Sequence, residues 1–340
     1  MQKLTEIILN MLPKKSDDKV CDAVFQGGGV WNVGNAGAIS VFEKEGYTFR
    51  NIGGTSSGSI IAALLASGFS SCEIKEELSK ANLGSLKELA FLKNLGLFKA
   101  DKLEKWVEGM LAKKNVKTFG DLRKTLKIVA TDVTEKRAKR VFVMPDDLSK
   151  FGVDPNAFSV ATAVRISSSI PYFFEPYIAK DSNGKTHHLV DGGLIGNYPI
   201  WLFDNGKNKT DVPVFGFRFE DSFEDLPEEI QHKKPGMLSY GKQLVATIID
   251  VNNDRYTDTI PGDRERTVFT KTSVDGKAIE FTDFGISARA LAGLYRNGVD
   301  AAQDFLSKFN FQDWQKTHRN KLNLLMQSHN QMDIETNIYL

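Results

Sequence analysis

The sequence has few cysteines, no charge excess and no long apolar run. Its two cysteines, Cys21 and Cys72, are too few for a disulfide framework or a thiolate metal site, and a reducing compartment fits them. Lysine plus arginine number 44 against 43 for aspartate plus glutamate, so no overall field indicates nucleic acid or an anionic membrane as a partner. The sequence has no run of about 18 apolar residues, the length needed to span a bilayer. What remains is a globular protein whose 41% apolar residues can bury a large core.

The N-terminal segment, residues 1–19, has the pattern of a short amphipathic helix. Its apolar residues at helical spacing are Leu4, Ile7, Ile8, Met11 and Leu12. A secretory signal would have an unbroken apolar centre and a small-residue cleavage site. We therefore predict a helix packed on the domain, with a membrane anchor as the alternative. We expect a cytoplasmic protein that can act peripherally at membranes, and export without a signal peptide stays open.

From Lys19 onward, short apolar strands alternate with longer helical stretches. Strands are predicted at residues 20–25 and 47–52, and helices at 35–45 and 57–66. Glycine turns join each strand to the next helix, which implies crossover connections and a mostly parallel sheet covered by helices. Further strands are predicted at 126–130, 140–143, 212–219 and 267–272, and a further helix at 287–305. Residues 20–309 form one domain, and 310–340 form a helical tail.

The strongest local motif is Gly54-Thr55-Ser56-Ser57-Gly58, which follows a predicted strand and opens a predicted helix. A serine nucleophile on such a turn adopts a strained conformation, and glycines two residues before and after it remove Cβ clashes. Its hydroxyl then stands at the carboxyl end of a strand, where open α/β sheets bind ligands. The alternative is a glycine-rich turn that merely begins a helix.

A second glycine-rich segment, Gly27-Gly28-Gly29, follows the first predicted strand. Consecutive glycines before a helix leave backbone N–H groups free to converge on an anion, so this loop is a candidate oxyanion site. A dinucleotide-binding loop is the alternative. Such a loop requires a glycine at the position of Asn32 and an acidic residue at the end of the next strand. That strand ends with Asn51-Ile52-Gly53, so neither requirement is met.

The base that would activate Ser56 is predicted to be a carboxylate. The five histidines are His187, His188, His232, His318 and His329. None has a context that holds it against a nucleophile, and His187 and His188 are predicted in a surface turn. Asp191 instead ends a short apolar run and precedes two glycines, so it can face the serine across the top of the sheet. Asp-Gly-Gly is also a common turn, which is the alternative.

Together these segments resemble the patatin-like phospholipases. The matching motifs are the glycine loop 27–29, the elbow 54–58, the Asp-Gly-Gly of 191–193 with the Asn-x-Pro of 197–199, and a segment at 163–176 similar to the family's Ala-x-Arg-x-Ser…Pro. They occur in the family's order over most of the chain, from about Val20 to Phe305. The resemblance implies an α/β three-layer sandwich with a mostly parallel central sheet.

The resemblance also implies a lipid acyl hydrolase of phospholipase A or lysophospholipase type. Ser56 would attack the ester, Asp191 would accept its proton, and the N–H groups of Gly28 and Gly29 would hold the oxyanion, with no metal or cofactor. The expected partners are a phospholipid or other acyl lipid and a membrane or micelle surface, not nucleic acid. An acyltransferase or thioesterase using the same dyad is one alternative, and a degenerate lipid- or partner-binding protein is another.

Two positions depart from the family pattern, and two apolar segments are candidates for contact with lipid. Trp31 and Asn32 stand where a basic residue and a glycine are usual, and we expect Asn32 to be able to adopt a left-handed conformation there. These segments are residues 89–98 and 200–203; we expect each to be buried in the core, with contact with lipid as the alternative. The charged residues 134–140 are predicted to be a hairpin tip, with an anion site as the alternative.

Overall fold

The computed structural model describes residues 19–80, 101–135, 141–204, 212–220, 262–281, 283 and 285–318, together with 240, 241, 244, 245 and 247–249. The predicted N-terminal helix lies outside the described residues apart from Lys19. So do the apolar segment 89–98 and the greater part of the charged segment 134–140. Within the predicted C-terminal tail, residues 311–318 are helical.

A mixed sheet forms the centre of the described structure. Its strands are β1 (Lys19–Phe25), β2 (Tyr47–Thr55), β3 (Thr125–Asp132), β4 (Val141–Met144), β5 (Tyr177–Lys180), β6 (Thr186–Asp191), β7 (Val214–Phe219) and β8 (Thr267–Thr270). The order is β5-β6-β3-β2-β1-β7-β8, with β4 also paired to β3. The pairs from β3 through β2, β1 and β7 to β8 are parallel, and the pairs involving β4, β5 and β6 are antiparallel. The predicted mostly parallel sheet is confirmed.

Helices flank this sheet. They are α1 (Asn32–Lys44), α2 (Ser57–Ala66), α3 (Ser71–Lys80), α4 (Asp101–Ala112), α5 (Val160–Ser167), the single turn α6 (Gly193–Gly196) and α7 (Ala288–Lys308). Alternate residues of a strand point to opposite faces, and β1 follows this rule. Ala23 and Phe25 pack into the large cluster that the helices complete. Val24 packs into a smaller cluster on the other face, so the sheet is buried on both sides, as parallel strands require.

One edge of β3 is shared by two strands that approach it from opposite directions. Along this edge β2 pairs in parallel as far as Thr55, opposite Val129. Beyond that point β6 pairs antiparallel and ends with Asp191 opposite Ala130. The opposite edge carries β4, which pairs with both of these β3 residues. The residue after β2 and the last residue of β6 are therefore brought together.

Candidate active site

Ser56 occupies a sharp turn between β2 and α2. Its backbone has φ 50° and ψ −128°, a strained conformation for a residue with a side chain. The flanking glycines are required by space. A Cβ on Gly54 would lie 2.5 Å from the Gly58 carbonyl oxygen, and one on Gly58 would lie 2.5 Å from the Phe25 carbonyl oxygen. The turn therefore requires glycine at both positions, and Ser56 lies at its apex.

The side chains of Ser56 and Asp191 are in direct contact. Ser56 Oγ donates a hydrogen bond of 2.7 Å to Asp191 Oδ2. The other carboxylate oxygen, Oδ1, accepts the N–H of Gly193 at 2.7 Å. The two residues are far apart in sequence, and the shared edge of β3 explains how they meet.

Asp191 is buried without a charged partner. Its exposed fraction is 1%, and within the described part of the chain no cationic side chain forms an ion pair with it. Burial is the dominant cause that raises the pKa of this carboxyl to about 7, against the opposing effect of the hydrogen bonds from Ser56 and Gly193. A carboxylate with this pKa can accept a proton near neutral pH.

The glycine loop lies against the elbow, and its N–H groups differ in what they bind. The N–H of Gly27 donates to the Asn197 carbonyl at 3.2 Å. The N–H of Gly28 donates to Ser57 Oγ at 3.0 Å. A Cβ on Gly28 would lie 2.6 Å from the Phe219 ring. Both donors are thus bonded within the fold, that of Gly27 to Asn197 and that of Gly28 to the elbow.

Gly29 is also required by its surroundings. Its φ is 52°, and a Cβ there would clash with the carbonyl oxygen of Phe281. The same carbonyl accepts the N–H of Val30 at 3.0 Å. The segment that follows the hairpin of β9 (Ser273–Val274) and β10 (Lys277–Ala278) therefore packs directly on the glycine loop.

The glycine loop, the elbow and the Asp-Gly-Gly turn all lie in a region of the chain that matches a known family. The sequence model of the family named Patatin, patatin-like phospholipase, matches residues 23–204. This chain belongs to the patatin-like phospholipase family. The match covers more than half of the chain and includes all three segments of the site.

Proteins similar in sequence to this chain include one from a bacterium and one from a virus. Uncharacterized protein YqhO of Bacillus subtilis (strain 168) is 40% identical over 222 residues, which is 61% of this chain and 74% of that protein. Uncharacterized protein R571 of Acanthamoeba polyphaga mimivirus is 28% identical over 287 residues, which is 80% of this chain and 90% of that protein.

Two solved structures also align with this chain. VipD from Legionella pneumophila aligns with a TM-score of 0.48 and 16% sequence identity. The alignment covers 85% of this chain and 67% of the VipD chain. ExoU from Pseudomonas aeruginosa, in complex with SpcU, aligns with a TM-score of 0.48 and 19% identity over 85% of this chain. The chain spans about half, 52%, of the length of that ExoU chain.

Trp31, one of the two departures from the family pattern, anchors the segment that covers the glycine loop. Its indole Nε1–H donates to the Ile279 carbonyl at 2.6 Å. Its ring packs against Phe219 and Phe281, with centroid distances of 5.6 and 5.8 Å. An aromatic contact therefore occupies the place where the family pattern has a cation.

Asn32, the other departure, does not adopt the left-handed conformation. Its φ of −62° and ψ of −11° are helical, because α1 begins at this residue. The tolerance of asparagine for a left-handed conformation is therefore not used at this turn. The buried carboxamide instead makes three hydrogen bonds: Nδ2 donates to Ser57 Oγ at 2.7 Å and to the Gln26 carbonyl at 3.3 Å, and Oδ1 accepts from Asn35 at 2.8 Å.

Two further residues hold the site together, and the sequence indicated them only as parts of family motifs. Ser167 Oγ accepts the backbone N–H of Ser56 at 2.8 Å and donates to the Val129 carbonyl at 2.6 Å. Asn197 accepts the Gly27 N–H through its carbonyl and donates from Nδ2 to the Gly27 carbonyl at 3.4 Å. Ser167 thus ties the elbow to β3, and Asn197 ties the Asp191 turn to the glycine loop.

His187 contradicts the prediction that it lies in a surface turn. It is fully buried in β6, and its Nδ1 is 2.6 Å from Asp132 Oδ2. Pairing with both β5 and β3 extends β6 past the histidines, so strand alternation turns His187 inward and leaves His188 exposed. His187 precedes Asp191 by four residues on the same strand. His232 and His329 lie outside the described residues.

The surroundings of His187 are rich in charge. Asp132, Glu135 and His187 offer ligand atoms within 4.8 Å of one another. Lys150 already lies 3.2 Å from Glu135 and 3.6 Å from Asp132, and Lys185 lies 3.0 Å from Glu135. These ammonium groups compensate the carboxylates, so we assign the cluster a structural role.

The apolar segment 200–203 is part of the core. Ile200, Leu202 and Phe203 are buried, and Trp201 is partly buried against the smaller core cluster. The expectation that this segment is buried in the core is confirmed, and it packs in the smaller cluster on one face of the sheet. Among the described residues, no helix has the length and apolar character needed to cross a membrane.

Proposed function

We propose that this protein is a lipid acyl hydrolase, of phospholipase A or lysophospholipase type, with Ser56 as nucleophile and Asp191 as base. The observation that carries the proposal is the 2.7 Å hydrogen bond from Ser56 Oγ to a buried carboxylate that pairs with no cation of the described residues. A serine hydroxyl requires an adjacent base to become a nucleophile, and this carboxylate is correctly placed and has a suitable pKa. Membership of the patatin-like phospholipase family supports a lipid ester as the substrate.

The mechanism has two halves, and protons balance in each. Ser56 Oγ attacks the ester carbonyl carbon while its proton passes to Asp191 Oδ2. The tetrahedral intermediate collapses, the proton moves from Asp191 to the leaving alcohol, and an acyl-serine remains. Water then attacks the acyl-serine and gives its proton to Asp191. Collapse returns that proton to Ser56 Oγ and releases the fatty acid.

The oxyanion of both intermediates is held at the glycine loop. The N–H of Gly29 is the proposed direct donor from this loop, because the N–H of Gly27 is bonded to the Asn197 carbonyl and the N–H of Gly28 is bonded to Ser57 Oγ. The positive end of the α2 dipole lies at the same place, since Ser56 immediately precedes that helix.

A lipid surface fits the exposed side chains beside the dyad. Gly193, which follows the Asp191 turn, has its Cα close to Ile249, so that a Cβ there would lie 3.4 Å from Ile249 Cδ1. The helical residues of the 240–249 segment thus border the site. Three apolar side chains of this segment are exposed at spacings of four residues: Tyr240, Leu244 and Ile248, with exposed fractions of 52%, 44% and 46%. We call them the apolar stripe.

The alternative of a degenerate binding protein was suggested by Trp31 and Asn32. Both side chains support the site in this structure, since Trp31 holds the cover of the glycine loop and Asn32 bonds to the elbow. Ser56 and Asp191 remain in contact beside them. These contacts favour an active enzyme over a binding protein.

Covalent labelling tests the proposal directly. An alkyl fluorophosphonate reacts with an activated serine, so the wild-type protein should be labelled at Ser56 and Ser56→Ala should not. The wild-type protein should also release fatty acid from at least one member of a panel of phospholipids, lysophospholipids and neutral glycerides. A folded wild-type protein that is neither labelled nor active on this panel would contradict the proposal. Acyl transfer to an added alcohol or thiol in place of water would favour an acyltransferase.

A further inference from the structure

The hydroxyl of Ser57 has both of its acceptor sites filled. Ser57 Oγ accepts the N–H of Gly28 at 3.0 Å and an N–H of the Asn32 carboxamide at 2.7 Å. A serine hydroxyl has two acceptor lone pairs and one donor hydrogen. Two N–H donors therefore leave this group able to act only as a donor, and no group in the described part of the chain accepts its hydrogen.

Asn32 fixes this orientation. Its Nδ2 also donates to the Gln26 carbonyl, and its Oδ1 accepts a hydrogen bond from Asn35. The carboxamide oxygen is therefore directed away from Ser57, and only N–H is presented to the hydroxyl. Because Asn32 is buried, with 3% exposed, water does not compete for these bonds, and the hydroxyl hydrogen is directed away from Asn32 and from Gly28.

The hydroxyl lies in the crevice between the glycine loop and the nucleophile. Ser57 is the first residue of α2 and directly follows Ser56, and its side chain is partly exposed. The glycine loop passes close to the nucleophile, since a Cβ on Gly27 would lie 3.0 Å from Ser56 Cβ. We infer that the carbonyl oxygen of an ester attacked by Ser56 lies in this crevice, beside the Ser57 hydroxyl.

We propose that the Ser57 Oγ–H is a catalytic hydrogen-bond donor to the oxyanion, a role that rests on the proposed acyl-hydrolase function. No proton is transferred in this step. The Gly28 N–H and the Asn32 N–H polarise the hydroxyl, and the hydroxyl donates to the oxygen on which negative charge develops. A hydroxyl that accepts two hydrogen bonds is a stronger donor than an isolated one, and donors aimed at developing charge lower the barrier.

Three substitutions at Ser57 and one control test the inference. Ser57→Ala removes the donor, Ser57→Thr keeps it, and Ser57→Cys keeps a group of similar size that donates only weakly. Ser67→Ala is the control, because Ser67 lies at the other end of α2 and bonds only locally, to the Ala63 carbonyl at 2.7 Å. Each variant is compared with wild type by circular dichroism and by kcat and KM for p-nitrophenyl butyrate.

The expected result is a loss in kcat with little change in KM. Ser57→Ala should lose about 100-fold in kcat, the loss typical of one oxyanion donor. Ser57→Thr should stay within a few-fold of wild type, Ser57→Cys should fall between, and Ser67→Ala should be unchanged. Affinity for a trifluoromethyl ketone, which forms a tetrahedral adduct with Ser56, should fall in parallel with kcat.

A different pattern would overturn the inference. If kcat of Ser57→Ala equals or exceeds that of wild type, the hydroxyl only occupies the Gly28 N–H until substrate arrives. If Ser57→Ala does not fold, equal kcat for Ser57→Cys and wild type overturns the inference as well. Both results require an active wild-type enzyme, so they are distinguishable from failure of the proposed function, in which the wild type shows neither turnover nor fluorophosphonate labelling and both proposals fall.

Discussion

Two buried carboxylates, Asp132 beside the beginning of strand β6 and Asp191 at its end, lie in opposite electrostatic settings. At its beginning, buried His187 contacts the buried carboxylate of Asp132, and Lys150 and Glu135 complete a charged cluster. At its end, the buried carboxylate of Asp191 contacts the Ser56 hydroxyl and the Gly193 N–H. Both carboxylates are almost completely removed from water, yet among the described residues a cationic side chain, Lys150, lies near Asp132 and none pairs with Asp191.

This difference supports Asp191 as the proposed base. A buried carboxylate without cationic neighbours holds a proton more tightly than one in water, because burial disfavours its charged form. Burial raises the pKa of Asp191 to about 7, where it can both accept and release a proton at neutral pH. An Asp–His pair is a familiar feature of serine hydrolases, but here it lies at the end of β6 that has no proposed nucleophile.

The largest effect is expected from substitutions at the Asp191 end. Ser56→Ala and Asp191→Asn should each lower kcat/KM for a soluble ester by about 10³ or more, as expected when a nucleophile or its base is removed. Asp132→Asn is the matched control, because it makes the same chemical change on the neighbouring strand. Once corrected for folded protein, its kcat/KM should stay within a few-fold of wild type.

The pH dependence of activity should report the same contrast. Asp191 must be ionised to accept the Ser56 proton, and its pKa is raised from 3.8 to about 7. We therefore expect kcat/KM to rise with pH, about tenfold per unit below pH 7, and to level off above it. His188→Ala should leave this profile unchanged. A rise centred near pH 4, or one that disappears with a histidine substitution, would contradict the assignment of Asp191 as the base.

Stability should change in opposite directions at the two carboxylates. Because the folded-state pKa of Asp191 is raised, its contribution to stability is present below about pH 4 and is lost as pH rises to about 7. Asp191→Asn removes this loss, so the variant should exceed wild type in free energy of unfolding above pH 7, by up to about 4 kcal/mol. Asp132→Asn should instead be destabilising by about 3 kcal/mol, because it removes the carboxylate that contacts the buried His187 ring and the partly exposed Lys150 ammonium.

Urea unfolding at pH 5 and pH 8 measures both effects. For Asp191→Asn, the gain over wild type should be larger at pH 8 than at pH 5. A gain that does not depend on pH would mean that the carboxylate is not the titrating group.

Much of the fold was predictable because its signals are local. The predicted helix at 57–66 has the observed bounds of α2, and the strands at 20–25 and 126–130 lie within β1 and β3. All three elements are apolar runs, and a glycine lies within two residues of the end of β1 and of α2. By contrast, α5 was not predicted, because it is only eight residues long and half of them are β-branched, a residue type with low helix propensity.

The site was predictable in its residues but not in its polar network. Ser56 and Asp191 were singled out by flanking glycines, and the structure brings them into contact. The position of His187 depends on the pairing of β6 with two strands, which no local pattern encodes. Likewise, the helical conformation of Asn32 and its bond to Ser57 depend on how α1 packs against the elbow.

The smallest expected effect concerns the apolar stripe near the Asp191 end of β6. Replacing Tyr240, Leu244 and Ile248 together with serine should lower hydrolysis of vesicle phospholipid about tenfold, because apolar area that would be buried in the lipid surface is lost. Hydrolysis of a soluble short-chain ester should be unchanged, since none of the three side chains belongs to the proposed dyad or oxyanion site.

Ile178 provides the matched control for the stripe. It is more exposed than any residue of the stripe, with 62% of its surface accessible, and it pairs with His188 at the charged end of β6. Ile178→Ser should therefore leave hydrolysis of both substrates unchanged if lipid is met at the Asp191 end. Equal losses on vesicles from Ile178→Ser and from the stripe variant would indicate general loss of surface hydrophobicity. A stripe variant that loses soluble-ester activity to the same degree would assign these side chains to support of the site, because a side chain that only contacts the lipid surface has no effect on an ester that reaches Ser56 from solution.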